Sequence, residues 1–201
     1  MRILFLGYPD CELLTFLRND SSVELDQLEE KINPAYLKNK TYDLAVSYGY
    51  RYLIPLEIIW CLQNRMINLH ISYLPWNRGA DPNFWSFMDN TPKGVTIHMI
   101  GRGIDTGPIL FQQEIKMKAD EETLKSSYVK LNAAIQKLFM THWDKIKKWE
   151  VDLAAQSEEG SFHKSSESEL FKKNIPNFYE LKISELISKV SELKQTQANS
   201  P

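Results

Sequence analysis

The chain has 201 residues, 43% hydrophobic and 25% charged, and a formal net charge of −2. That is the composition of a globular domain rather than a disordered one, with no basic excess to attract DNA, RNA or anionic lipid. No apolar run approaches the roughly 18 residues of a membrane span, and Met1 to Gly7 is too short an apolar stretch for a signal peptide.

Arg2 to Leu6 reads as a buried strand that ends at the turn Gly7-Tyr8-Pro9-Asp10. Cys11 to Leu17 suits a brief helix, while Val23, Leu25 and Leu28 suit either a strand edge or a helix. Asp43 to Ser47 reads as a buried parallel strand, so the front end has room for one short crossover unit at most. Pro55 stands near the start of a helix that carries Leu56, Ile59, Trp60 and Leu62 to Met66, a first-turn position that proline tolerates. Met66 to Ile71 alternates as a strand, with Asn68 and His70 on one face. The polar loop Pro75 to Pro82 leads to a short helix through Phe84, Trp85, Phe87 and Met88. Gly94 to Ile100 and Ile109 to Ile115 read as strands interrupted by the glycine-rich loop Gly101 to Pro108.

Asp120 is expected to cap one long amphipathic helix through Leu124, Leu131, Ile135, Leu138, His142, Ile146 and Trp149. Residues 154–168 are rich in Ser, Glu and Gly and are expected to end the compact unit. Ile183 to Leu193 shows a second helical face, and Gln195 to Pro201 is polar enough to fray. This divides the chain into a core, 1–153, and a C-terminal extension or linker with an amphipathic helix, 154–201. Strands alternating with helices predict an α/β fold: a mostly parallel, Rossmann-like sheet flanked by helices. Ligands in such sheets sit at the carboxyl ends of strands, which directs attention to the loops after Leu6, Ser47, Ile71 and Ile100. Cys11 and Cys61 lie far apart, with no metal-ligand spacing, and read as reduced thiols of a cytoplasmic protein.

Asn68, His70 and Asp105 are the polar groups that could carry chemistry. Two polar side chains on one face of an otherwise apolar strand are costly without partners. Asp105, in a glycine-dense loop, alone could be a turn residue bonding its own backbone. His98 reads as a packed strand histidine, and His142 lies on the apolar side of the long helix.

The surroundings are more specific. Asn68-Leu69-His70-Ile71-Ser72-Tyr73-Leu74-Pro75, followed by Arg78-Gly79-Ala80, resembles a run found in folate-dependent formyltransferases. Gly94-Val95-Thr96-Ile97, followed by Gly103-Ile104-Asp105-Thr106-Gly107-Pro108, is similar to the signature block of that family. Tyr48-Gly49-Tyr50 with Leu53 and Pro55 resembles its folate-lining segment, and Gly7-Tyr8-Pro9 its first turn. The block departs from the family pattern at Met99, Ile100 and Arg102, and Arg102 reads as a solvated surface charge.

The resemblance implies a shortened formyltransferase fold that moves a formyl group from 10-formyltetrahydrofolate to a primary amine, without a metal. It implies Asn68, His70 and Asp105 as the catalytic set. Asn68 and protonated His70 suit the oxyanion that develops on the formyl oxygen, and His70, or a water held by Asp105, suits removal of the amine proton. It places the folate on Arg51, Tyr52, Leu53 and Ile54, opposite Gly103 and Asp105. Tyr8, Pro9, Trp76, Asn77 and Arg78 fall on the acceptor side, where Trp76 could stack on the acceptor or plug the core beneath its loop. His163, after Gly160-Ser161-Phe162, resembles a substrate-side residue of sugar-modifying members.

The small C-terminal remainder and the charge of −2 disfavour tRNA as acceptor, and the first turn lacks adjacent glycines for a phosphate nest. The resemblance is therefore strongest to sugar N-formyltransferases acting on nucleotide-linked amino deoxysugars. The alternative is the formylation domain of a nonribosomal peptide synthetase, whose acceptor is an aminoacyl group on a carrier protein. A non-catalytic folate-binding relative is a third reading. The short front end implies a pared-down sheet and an open acceptor side, suited to a bulky or tethered substrate.

Overall fold

A computed structural model describes residues 1–62 and 65–198 of the chain. The opening apolar run forms β1, Arg2–Gly7, and α1, Glu12–Asn19, returns the chain to β2, Glu24–Leu28. The ambiguous Val23–Leu28 stretch is thus an edge strand, half exposed because only one side has a neighbour. A 3-10 turn, Pro34–Leu37, precedes β3, Leu44–Tyr48, and α2, Leu56–Cys61, begins directly after Pro55. Gln63 and Asn64, within the apolar stretch expected to extend α2, lie outside the described residues. Then come β4, Met66–His70; β5, Arg78–Gly79; α3, Pro82–Met88; β6, Gly94–Met99; and β7, Ile109–Glu114.

The six-stranded sheet has the order β2-β1-β3-β4-β6-β7. β2, β1, β3 and β4 are parallel, as strand–helix alternation predicts, but β6 runs antiparallel to β4. No helix among the described residues is long and apolar enough to cross a membrane.

Two compact units share the chain. The first comprises Met1–His70, Thr96–Gln112 and Ile135–Gln156. On one face of its sheet Leu4, Leu6, Ala45 and Met66 pack with Ile58, Ile59 and Leu62. Each leucine, isoleucine or methionine side chain removed from water there contributes about 1.5–3 kcal/mol. The second unit comprises Ile71–Val95, Gln113–Ala134 and Ser157–Pro201. Its core joins Phe84, Trp85 and Phe87 of α3 to Phe171, Ile175, Phe178, Ile183, Leu186 and Val190.

The long amphipathic pattern is two helices, α4, Leu124–Thr141, and α5, Trp143–Lys148. Thr123, not Asp120, caps α4: its hydroxyl oxygen accepts the Ser126 N–H at 3.0 Å, and its own N–H donates to Ser126 Oγ at 2.9 Å. The break falls at His142, whose ring stacks on Phe111 with centroids 3.9 Å apart and planes 4° apart. Burial lowers the His142 pKa, which favours the neutral ring. The polar segment after residue 153 is ordered rather than a bare linker. Ala154 bridges Ile109, and β8, Phe162–His163, pairs in parallel with β5. Two helices follow, α6, Ser165–Asn174, and α7, Ile183–Ala198, so the helix runs into the stretch expected to fray. Residues 199–201 lie outside the described residues.

Candidate active site

The face of β4 that begins with buried Met66 continues, two residues at a time, to Asn68 and His70 at the carboxyl end of the strand. The antiparallel register sets His98 opposite Asn68 and Thr96 opposite His70. Four polar side chains therefore share one face of the β4–β6 step, while Ile67, Leu69 and Ile97 fill the other face. His70, Thr96 and His98 are buried.

Asp105 completes the cluster from the loop between β6 and β7. It takes a left-handed backbone, φ 52°, a conformation in which Asp is several-fold enriched. The sharp loop needs Gly107, where a Cβ would stand 1.9 Å from the Met99 carbonyl oxygen. The Asp105 carboxylate faces a different group on each side. Oδ2 lies 3.7 Å from His70 Nε2, and Oδ1 lies 3.4 Å from His98 Nε2 and 3.4 Å from Asn68 Nδ2. Asp105 is thus more than a turn residue satisfied by its own backbone.

His98 is the residue that sequence reasoning passed over. Its Nδ1 meets the Met99 carbonyl oxygen at 2.8 Å, and a carbonyl only accepts, so Nδ1 carries a hydrogen. That orientation turns Nε2 inward, 3.3 Å from Asn68 Nδ2. Gln156 is the second such residue: its amide nitrogen donates to the carbonyl oxygens of Asp105 and Gly107, at 2.8 Å each. The assembly gathers an amide donor, two imidazoles and a carboxylate at the end of an apolar strand. Such a set can stabilise a developing oxyanion and accept a proton.

The expected folate loop lies in the same unit. Tyr50 fixes its root by donating its hydroxyl hydrogen to the Glu30 carbonyl at 2.9 Å and accepting the Ile32 N–H at 2.8 Å. Burial raises the Tyr50 pKa, keeping that hydroxyl a donor. Beyond it Arg51, Tyr52 and Leu53 are exposed, Leu53 at 75%. Ile54 and Ile100, which bound the two candidate folate loops, pack on the same core cluster. Gly103 lies under the Thr106 side chain, 2.4 Å from where a Cβ would stand. Among the described residues no group of three or more His, Cys, Asp or Glu side chains could hold a metal ion.

Tyr8 also belongs to this unit. Its ring meets Tyr48 edge-on at 4.9 Å, and exposed Pro9 follows it. Trp76, Asn77 and Arg78 belong to the second unit. Trp76 and Arg78 are half-buried, but Asn77 is completely buried. Asn77 Nδ2 donates to Thr91 Oγ1 at 2.7 Å, and its main-chain N–H donates to Ser161 Oγ at 2.8 Å. Asn77 therefore helps to hold the loop that carries Arg78. His163 is likewise committed within that unit. Its ring stacks on Trp85 at 4.1 Å, with Nε2 2.8 Å from Asp89 and Nδ1 3.1 Å from Glu167.

Comparison with known proteins places these observations in context. The family profile described as formyl transferase matches residues 15–142, more than half of the chain. Methionyl-tRNA formyltransferase of Thermodesulfovibrio yellowstonii is 36% identical over 113 residues, 56% of this chain and 36% of that protein. The dTDP-4-amino-4,6-dideoxyglucose formyltransferase of Mycobacterium bovis is 30% identical over 122 residues, 61% of this chain and 51% of that protein. The chain thus spans about a third to a half of the length of these curated relatives. A solved structure, the formyltransferase PseJ from Anoxybacillus kamchatkensis in complex with UDP-4,6-dideoxy-4-formamido-L-AltNAc and tetrahydrofolate, matches with a TM-score of 0.85 and 40% identity. That match covers 94% of this chain and 99% of PseJ.

Proposed function

The chain belongs to the formyl transferase family, and from that premise we propose that it moves a formyl group from 10-formyltetrahydrofolate to the primary amine of a nucleotide-linked amino deoxysugar. The observation that carries the proposal is the convergence of Asn68, His70 and Asp105 within hydrogen-bonding or near-contact distance at the end of β4. Similarity to PseJ over nearly the whole of both chains supports an amino sugar as the acceptor class.

The formyl donor supplies an electrophilic carbonyl carbon. Asn68 Nδ2 carries two hydrogens: one is given to Asp105 Oδ1 or His98 Nε2, which fixes the amide, and the other donates to the formyl oxygen as negative charge develops there. His70 stands beside it: as the neutral imidazole it takes the proton that the attacking amine loses, and the resulting imidazolium supports the charge on the oxygen and returns the proton to N10 of the folate as the C–N10 bond breaks and tetrahydrofolate leaves. Asp105 stands against both imidazoles, 3.7 Å from His70 Nε2 and 3.4 Å from His98 Nε2, and holds their orientation. Arg51 to Ile54 and Gly103 offer main chain and apolar surface to the pterin. Tyr8 and Pro9 are the acceptor-side contacts of the first unit in this reading.

The test is direct. The protein is mixed with 10-formyltetrahydrofolate and, in parallel, UDP- and dTDP-linked 4-amino-4,6-dideoxy sugars, an aminoacyl carrier protein and methionyl-tRNA, and tetrahydrofolate release is followed. Turnover with a nucleotide amino sugar supports the proposal. Turnover with the carrier protein or the tRNA alone replaces the acceptor, and folate binding without turnover in any arm overturns the enzymatic reading.

A further inference from the structure

The loop that carries Asp105 is held at two places. At its base the Met99 N–H donates to the Pro108 carbonyl at 2.8 Å, closing the turn. From the other side comes Gln156. Ile109 and Ala154 exchange two main-chain hydrogen bonds, of 2.8 and 2.9 Å, which fixes the register of the returning segment against the start of β7. Gln156 follows two residues later. A primary amide has two N–H hydrogens, and here one goes to each of the Asp105 and Gly107 carbonyl oxygens. Both acceptors are carbonyls, so the amide can be oriented only one way.

The consequence runs through the backbone. Asp105 sits at φ 52°, a region an L-residue leaves unless its neighbours hold it. Pinning its own carbonyl and the one two residues on fixes the peptide planes around it, and with them the direction of its Cβ. The carboxylate is aimed at two imidazoles at 3.7 and 3.4 Å, distances that a small rotation of the loop would change by a large fraction.

We propose that Gln156 is a positioning residue for formyl transfer: by clamping the Asp105 and Gly107 carbonyls it directs the Asp105 carboxylate at His70 and His98, and so governs the rate of the chemical step rather than the binding of either substrate. The kinetic part rests on the formyltransferase reading above. Gln156→Met keeps the length of the side chain without its donors, and Gln156→Ala removes both. Each is expected to lower kcat about 10- to 100-fold, the scale of a sub-ångström to ångström misplacement of a reacting group, with KM for both substrates within about threefold. In an Asp105→Ala background, the same changes should cost less than about twofold, because the group they position is gone. Imidazole ¹⁵N resonances of His70 and His98 should shift in Gln156→Met.

A kcat within twofold of wild type, or an equal loss with and without Asp105, overturns the proposal. Should the wild-type protein itself show no turnover, the reaction assignment fails. The nitrogen spectra then decide positioning separately, and unchanged His70 and His98 signals in Gln156→Met overturn it.

Discussion

Asn68 and His98 face each other across the antiparallel β4–β6 step, amide nitrogen to imidazole nitrogen at 3.3 Å. The other nitrogen of His98 is anchored on the Met99 carbonyl, so the ring cannot turn without giving up a 2.8 Å hydrogen bond. His98→Phe fills the same space and removes both polar contacts, leaving Asn68 and Asp105 to find new orientations. We expect a loss in kcat of about 10- to 100-fold, on the scale of positioning effects. A steady-state kcat within twofold of wild type would reduce His98 to packing.

Asn68→Ala, His70→Ala and Asp105→Ala each remove a group assigned to the reacting atoms. Each should lower turnover by on the order of 10²- to 10⁴-fold, the range for losing a general acid–base or an oxyanion donor. The three act as a unit, so the double variant Asn68→Ala/Asp105→Ala should lose far less than the product of the single losses. Formyl-transfer rates alongside circular dichroism check this; a variant with native spectra and near-normal turnover removes its residue from the mechanism.

The difference between Asp105 and His98 shows what the chain reveals on its own. Asn68, His70 and Asp105 are legible because local pattern marks them: two polar residues at i and i+2 on an apolar strand, and an acid inside a glycine-dense loop. His98 has the same i, i+2 relation to Thr96, but its importance depends on which strand lies beside it and in which direction. Residues 71–93 are long enough for a crossover, which predicts a parallel neighbour, yet β6 pairs antiparallel and sets His98 on Asn68. Gln156 was hidden because a polar segment that bridges one residue and clamps a loop has the composition of a linker. α6 escaped notice for a related reason: only Ser168 and Phe171 of its ten residues are buried, so it carries little apolar periodicity. Asn77 shows a different limit: nothing in its local pattern reveals that its side chain is buried and donates to Thr91 within the loop.

Gly7 and Gly101 make a controlled pair. Gly7 has φ 126°, and a Cβ there would stand 1.9 Å from the Tyr48 carbonyl oxygen, main chain that cannot swing aside. At Gly101 nothing lies within 4 Å of the added atom. Gly7→Ala should cost at least about 2 kcal/mol of stability, from backbone strain together with steric overlap. Gly101→Ala should stay within about 0.5 kcal/mol of wild type, as uncrowded positions do. Urea unfolding of both variants measures the contrast; equal midpoints would mean that the turn after β1 can reshape itself.

Asp20, at the end of α1, gives the fold a pH dependence whose sign can be worked out. Its carboxylate accepts the Ser22 hydroxyl hydrogen at 2.5 Å, and the Trp143 indole N–H, the Lys147 ammonium and the Ser22 main-chain N–H at 2.9 Å each. These donors, the Ser22 hydroxyl foremost, hold Asp20 well below the usual carboxylate range. A carboxyl whose folded pKa lies below its unfolded value of about 3.9 contributes its full stabilisation above that value and loses it as pH falls toward the folded one. Asp20→Asn keeps one acceptor oxygen but sets an NH₂ against hydrogen-bond donors. The gap in unfolding free energy between wild type and Asp20→Asn should therefore be widest above about pH 5 and should narrow steadily toward about pH 2. Denaturant unfolding of both proteins across that range measures it. A gap that does not change with pH would show that the charge of Asp20 is not what ties α1 to α5.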